Sequence, residues 1–333
     1  MPLEALRHPV TPTGLHYLLI HYDIPSIDPA EWRLEVAGAV TRTLALSLDD
    51  LRAMPQAELV ATMECAGNGR ARLAPRPVSQ PWLAEAVGTA CWRGVRLRDV
   101  LDTAGIGDDA VDVVLSGVDR GLEAGVHQCY ERALAVAEAS REEVIIALDM
   151  NGAPLLPQHG FPARLVVPGW YAMTNVKWLG AITIVTAPFH GFQQDHSYRI
   201  RQYEGEEGTP VTRMLPRALM VPPGVPDFLS RERWVDDEPV TIEGRAWSGW
   251  APIVSVEVSV DDGASWVTAA LSDHPHPPWA WRGWTFAWAP TPGRHVVCCR
   301  ATDASGQAQP TAPIWNLGGY QNNAVQRVVV HVR

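Results

Sequence analysis

Val254, Val256, Val258 and Val260 alternate with Ser255, Glu257 and Ser259, and Asp261-Asp262-Gly263 follows at once. A period of two puts the valines on one face of a strand, and an Asp-Gly pair turns the chain back on itself. A strand with one apolar face must cover it with a second layer. Trp266 opens the expected return strand, and further strands are expected at 240–247, 284–288, 295–301 and 325–332. Turn signals at this spacing predict a β-sandwich of immunoglobulin-like type in the last third of the chain. Nine of the 14 tryptophans lie beyond residue 230. Core packing or a subunit interface accounts for them better than a ligand patch, because Trp is enriched in both.

Upstream the pattern changes. Prolines at 210, 216, 222, 223, 226 and 239, with glycines at 205, 208 and 224, predict a linker or wrapping segment over 205–239. The residues before it mix helix and strand. Ser47 with Asp50 forms a capping-box-like start to a short helix that Pro55 ends. Leu97, Val100, Leu101 and Ala104 mark a helix over 96–104, closed by Gly105. Strands are expected at 32–36, 57–63, 111–115, 144–148, 165–167 and 181–185, with Asn151-Gly152 as a hairpin turn. The fold class is α+β, a mixed α/β unit over 1–218 followed by a β-sandwich over 219–333. A chain of 333 residues supports such a division.

The net charge is −10, which argues against a nucleic-acid partner or an anionic membrane surface. No apolar run approaches the ~20 residues that cross a bilayer. The first residues lack a basic and then apolar leader. As given, the chain reads as cytoplasmic, or periplasmic if a signal has been removed. The five cysteines show neither zinc spacing nor a disulfide framework. Of 27 basic side chains only Lys177 is a lysine. Against that bias, its position suits a compact ammonium rather than a planar fork.

Reactive side chains gather at loops that end strands. An apolar run, Leu59-Val60-Ala61, leads into Cys65-Ala66-Gly67-Asn68-Gly69-Arg70. A soft thiolate beside exposed amides and a guanidinium suits an electron-poor metal or an anion; a buried structural cysteine before a loop is the alternative. Asp119, His159, Arg164, Lys177 and Tyr203 each have a similarly plain alternative as a turn former, loop histidine, ion-pair partner or rim residue. No P-loop, nucleophile elbow or dinucleotide fingerprint is present.

Taken together and in order, these pieces resemble the sulfite oxidase family of molybdenum enzymes, in its prokaryotic haem-free form, over nearly the whole chain. Cys65 to Arg70 is similar to the family's metal-ligand loop, which implies that Cys65 binds molybdenum. His159-Gly-Phe-Pro-Ala-Arg164 resembles the segment that grips molybdopterin, the pyranopterin cofactor. Asn175-Val176-Lys177-Trp178 resembles the next cofactor contact, and Asp119 a further one. Tyr203, in Arg201-Gln202-Tyr203-Glu204-Gly205, resembles the active-site tyrosine, and Trp82 the pocket tryptophan. The pieces Ala246-Trp247-Ser248-Gly249 and Trp315-Asn316-Leu317-Gly318-Gly319 resemble the family's dimerisation domain, which implies a homodimer.

The departures bear on substrate. The family's sulfite-oxidising members ring the oxyanion with three arginines, and Arg70 matches one. Where their Arg-Asn-His falls, this chain has His21-Tyr22-Asp23, which places Tyr22 and Asp23 beside the cofactor and His21 in the pocket. Where their Asn-Leu-Arg-Gly falls, it has Asn316-Leu317-Gly318-Gly319. The resemblance implies oxidation of sulfite or a related small sulfur compound by oxygen-atom transfer, with electrons passed to a separate acceptor such as a cytochrome. Reduction of an S- or N-oxide on the same cofactor is the alternative that the missing guanidiniums favour. A non-catalytic scaffold that keeps the fold is an alternative of another class. If His21 replaces a guanidinium, oxyanion affinity is expected to fall as pH rises from about 5.5 to about 7.5.

Overall fold

The computed structural model describes residues 1–273 and 279–333. The N-terminal unit is built on two sheets that share one core. In the first, the strand order is Leu44–Leu46, Leu34–Gly38, Leu179–Val185, Asp112–Glu123, Val126–Ala135. Its second and third strands run parallel, and the rest pair antiparallel. In the second sheet Gln56–Glu64, Val87–Arg96, Ile145–Met150 and Ala153–Pro154 follow one another, and Arg164–Val166 pairs with Ile145–Met150. The helix Leu97–Ala104 lays Leu97, Val100, Leu101 and Ala104 on the core, as its spacing requires. The helix Leu48–Ala53 begins at the expected capping box, with Ser47 and Asp50 bonded reciprocally.

The C-terminal unit is β-rich. A four-stranded sheet, Arg217–Met220, Val240–Trp247, Arg282–Trp288 and Ala270–Leu271, faces a six-stranded sheet that contains Ile253–Ser259, Gly293–Asp303 and Gln326–Val332. Val256 and Val258 point into the core between them, with Trp284, Val297 and Val330. The alternation therefore finds the second layer it needs. The return strand after Asp262 and Gly263 is only Val267–Thr268.

One expectation about the chain path needs correction, and two strands lie outside the sequence reading. The segment 205–239 is not simply a linker, because Arg217–Met220 is a strand buried at every residue. It pairs with Gly244–Trp247 and so joins the four-stranded sheet of the second unit. Strands Val87–Arg96 and Val126–Ala135 carry no clean alternation and escape a periodicity argument. The first is central in its sheet and buried on both faces over most of its length, which removes the polar beats that a period of two needs.

Candidate active site

The strand Gln56–Glu64 ends in the interior and delivers Glu64 and Cys65 to the junction of the two units. The next residues turn tightly. Asn68 N–H donates to the Cys65 carbonyl at 2.9 Å, and Gly69 adopts φ +94°. A Cβ at Gly69 would sit 2.6 Å from the Asn322 carbonyl oxygen, so only glycine allows this approach.

The loop is gripped from the C-terminal unit. Gln321 N–H donates to the Ala66 carbonyl at 2.8 Å, and the Asn322 amide to the Gly69 carbonyl at 2.8 Å. Glu64 is fully buried and accepts from Asn68 at 3.0 Å and from Trp247 Nε1 at 2.9 Å. Arg217 Nε lies 2.9 Å from Glu64 Oε1, an ion pair whose N–H is not aligned for a hydrogen bond. Arg217 also donates to the Asn68 and Asn322 carbonyls. Burial raises the Glu64 pKa in spite of Arg217 and these donors.

Beside this loop lies a cavity with about 720 Å³ of empty space, counting the part open to solvent. Cys65, Asp119, His159, Arg164, Asn175 and Lys177 all line it, although they come from separated stretches of chain. Asp119 arrives by way of a bulge. Pairing between Asp112–Glu123 and Val126–Ala135 slips between Ser116 and Arg120, and Asp119 in that unpaired stretch lines the cavity. Arg164 is held by the His159 and Asn175 carbonyls at 3.0 and 3.2 Å. Lys177 Nζ donates to the Leu19 carbonyl at 2.8 Å and sits 4.2 Å from the Trp178 ring centre. Trp178 takes φ +50°, a left-handed backbone uncommon for a bulky residue. Such conformations persist where the surroundings fix them, and they cluster at functional sites.

A second cleft, about 790 Å³, opens from Cys65 toward the surface. Arg70, Trp82 and His21 line it, with Tyr22, Glu123, Tyr198 and Tyr320. Arg70 spends Nε on the Gly318 carbonyl at 2.9 Å and Nη1 on the Gln80 carbonyl at 3.3 Å, and its guanidinium lies 5.1 Å from the Tyr320 ring centre. His21 Nε2 and the Tyr198 hydroxyl are 2.8 Å apart, and the His21 ring packs 4.6 Å from that of Tyr130.

Burial dominates the electrostatics of both spaces. It lowers Lys177 to about 7, with Arg164 adding to the effect, and raises Asp119 to about 6 against the pull of Lys177. It lowers His159 to about 4, with Arg164 and Lys177 adding to the effect. Cys65 is pushed up by burial, while a Gly67 amide and Arg70 favour its thiolate. The Trp82 indole N–H favours the thiolate too, without reaching hydrogen-bond geometry.

His21 has ring surface open to the cleft, yet protein encloses most of it, and burial lowers its pKa to about 4. This corrects the pH window expected from its reference value. A positive His21 exists only below about pH 4, and its pull on an anion is lost as pH rises through that value. Between about pH 5.5 and 7.5 the ratio of sulfate affinities of the native protein and a His21→Gln variant is expected to stay constant. Isothermal titration across that window checks this, and a ratio that falls steadily with pH would contradict it.

Four expected site residues lie elsewhere. Tyr203 is 65% exposed and outside both spaces, because its turn runs over the surface. Tyr198, five residues earlier and at φ +51°, reaches the cleft instead. Val176 is a core residue whose carbonyl accepts from Leu165 N–H at 2.8 Å. Asp23 is exposed and accepts from the Ile24 N–H at 2.7 Å. Tyr22 lines the outer cleft rather than the inner cavity, and its hydroxyl donates to Glu123 at 3.2 Å. Sequence reasoning missed His16, Tyr17, Glu123, Tyr130, Tyr198 and Tyr320, none of which sits in a motif or a periodic run.

Comparison with known proteins gives a consistent result. Residues 21–193 match the family "Oxidoreductase molybdopterin binding domain", and residues 218–333 match "Mo-co oxidoreductase dimerisation domain". Mitochondrial sulfite oxidase of Mus musculus is 35% identical over 97% of this chain, which spans 62% of that protein. Sulfite oxidase of Gallus gallus is 35% identical over 98% of the chain and 74% of its own length. An NADH nitrate reductase of Hordeum vulgare is 32% identical over 99% of the chain and 40% of its own length. Among solved structures, the sulfane dehydrogenase SoxCD from Paracoccus pantotrophus superposes with a TM-score of 0.84 over 100% of this chain and 86% of that one. Its sequence identity is 24%, so that likeness speaks for the fold alone.

Proposed function

The chain belongs to the family of molybdopterin-binding oxidoreductases that includes sulfite oxidase, and from that premise we propose that it oxidises a small sulfur oxyanion and passes electrons to a separate acceptor. One observation carries this reading: Cys65 lines both the cavity that gathers Asp119, His159, Arg164 and Lys177 and the cleft that holds Arg70.

The inner residues fit the cofactor. Four buried polar atoms around the cavity, His16 Nε2, Asp119 Oδ1, Arg164 Nε and Asn175 Nδ2, have no protein partner among the described residues. Unmet donors and acceptors of this kind are costly unless a polar ligand meets them. In the proposed assignment Cys65 ligates molybdenum, and Asp119, His159, Arg164, Asn175 and Lys177 receive the pterin and its phosphate. When bound, the cofactor supplies oxygen-atom transfer and a two-electron store. Arg70 orients the anion through Nη2, which has no hydrogen-bond partner among the described residues. Trp82 and Tyr320 wall the cleft and exclude bulk water. Tyr198, held by His21, presents a hydroxyl to the substrate oxygen. We read the two-sheet C-terminal unit as immunoglobulin-like and as the contact of a homodimer. Light scattering at the mass of a single chain would count against the dimer.

Lys177 makes the cofactor assignment testable. Its pKa near 7 means that a bound phosphate dianion stabilises the protonated ammonium and raises that pKa. The affinity of cofactor-free protein for inorganic phosphate is therefore expected to fall above pH 7, by up to about tenfold per pH unit. Calorimetry in buffers of different ionisation enthalpy would show proton uptake. A flat affinity from pH 7 to 9 would contradict the assignment.

Dye-coupled assays of the cofactor-loaded protein test the function. Reduction of an oxidised dye by sulfite or an organic sulfinate is expected. Exclusive oxidation of a reduced dye by sulfoxides or amine N-oxides would favour the second reading. The observation behind that second reading is that Arg70 is the single cation among the residues lining the outer cleft.

A further inference from the structure

The outer cleft has two charged side chains among its lining residues, Arg70 and Glu123, of opposite sign. His21, the remaining basic group there, is neutral at ordinary pH. The cleft is therefore balanced in charge, which is a poor match for a dianion and a good match for a zwitterion.

Three features sharpen this. Arg70 offers a ligand mainly its Nη2, since Nε and Nη1 already donate to the Gly318 and Gln80 carbonyls. A second guanidinium at 318 would have to displace Tyr320. A Cβ there would lie 2.3 Å from the Tyr320 ring, so an aromatic face stands where a cation would have to pass. Glu123, in turn, is fixed rather than satisfied. Tyr22 OH and Gln193 Nε2 donate to its Oε2 at 3.2 and 2.5 Å, while among the described residues Oε1 has only Ser197 Oγ at 3.5 Å. That oxygen is open to a donor from the cleft. The rings of Tyr22, Trp82 and Tyr198 share the same walls. A carboxylate among aromatic faces is the chemistry that recognises an ammonium group.

The geometry points to a substrate that carries an ammonium group as well as a single-charged sulfur oxyanion, an aminoalkyl sulfinate, with Arg70 on the sulfinate and Glu123 on the ammonium. This rests on the proposed oxidation of a sulfur oxyanion. The step balances as R–SO₂⁻ and water giving R–SO₃⁻, two protons and two electrons. Sulfur gains a bond to oxygen and loses an electron pair, which leaves one electron at a time to two equivalents of the separate acceptor.

The test pairs 2-aminoethanesulfinate with ethanesulfinate, which differ only in the ammonium group. In dye reduction by the loaded native protein, kcat/KM is expected to favour the aminated substrate by about tenfold or more. Glu123→Gln, which keeps the side-chain shape, is expected to bring that ratio near unity. Binding is read separately by calorimetry with the products, 2-aminoethanesulfonate against ethanesulfonate, and the same Glu123-dependent preference is expected. Equal turnover of both sulfinates, or a preference that survives Glu123→Gln, overturns the ammonium site while oxidation stands. If neither sulfinate is oxidised but the Glu123-dependent binding preference is present, the ammonium site stands and the oxidation reading fails. No binding preference overturns the inference, whatever the turnover.

Discussion

Replacing Cys65 by Ser is expected to lower turnover by more than about 100-fold while the fold survives. Loss of an outer-shell partner to a metal ligand already costs about 10- to 100-fold, so loss of the ligand itself should exceed that. Structurally the change is small. Cys65 is buried, but its backbone makes the local contacts, with N–H donating to the Ala86 carbonyl at 2.9 Å and C=O accepting from Asn68. The side chain contributes a sulfur that sees Arg70 and a Gly67 amide, not a packed core. Circular dichroism and thermal unfolding close to native, with the visible thiolate-to-metal absorption gone, would complete the expected result. Native turnover in the Cys65→Ser protein would remove Cys65 from the metal.

The second large effect is on stability. Arg217→Met is expected to cost about 3–5 kcal/mol, because it leaves the Glu64 carboxylate buried without its counter-charge. Both side chains are almost fully buried, at 3% and 0% exposure. Burial outweighs Arg217 in setting the Glu64 pKa, which is raised. An acid whose folded pKa is raised favours the folded state below its unfolded value and loses that contribution as pH rises through the folded value. The Arg217→Met protein should therefore recover part of its lost stability on mild acidification, as Glu64 takes a proton. Urea unfolding at two pH values measures both effects. A loss under about 1 kcal/mol, or one independent of pH, would mean that the pair is not what ties the Cys65 loop to the second unit.

The consequence reaches function because the loop is held from two sides, by Ala84 and Ala86 of its own unit and by the C-terminal unit. Its inner face is a cavity. Its outer face rests on Gly318, Gln321 and Asn322 of the C-terminal unit. The β-rich unit thus helps to shape the site, and Tyr320 enters the cleft from it directly.

Much of this was legible in the sequence, for local reasons. The capping box at Ser47, the Gly105 stop and the Asn151-Gly152 hairpin each act within a few residues and form as expected; the valine alternation holds at Val256 and Val258 but not at Val254, which is exposed beside a register shift that buries Ile253 instead. The Cys65 turn and the His159, Arg164 and Lys177 cluster stood out because reactive types sat at strand ends. Legibility ended where tertiary context decides. Arg217–Met220 is a strand because Gly244–Trp247 lies beside it, not because of its own period. Tyr198 rather than Tyr203 reaches the cleft because the backbone at Tyr198 turns left-handed and aims the ring inward. Glu123 matters only because Tyr22, Gln193 and Ser197 converge on it from distant stretches on both sides in sequence. No window on the sequence contains those partners together.

The central claim is that the cavity beside Cys65 holds molybdopterin and its metal. Metal and pterin analysis of the protein purified from molybdenum-replete cells tests it most directly. Molybdenum and pterin equimolar with the chain in the native protein are predicted, with the metal lost and the pterin largely kept in Cys65→Ser. A folded native protein that carries neither, and takes up neither on reconstitution, would contradict the account.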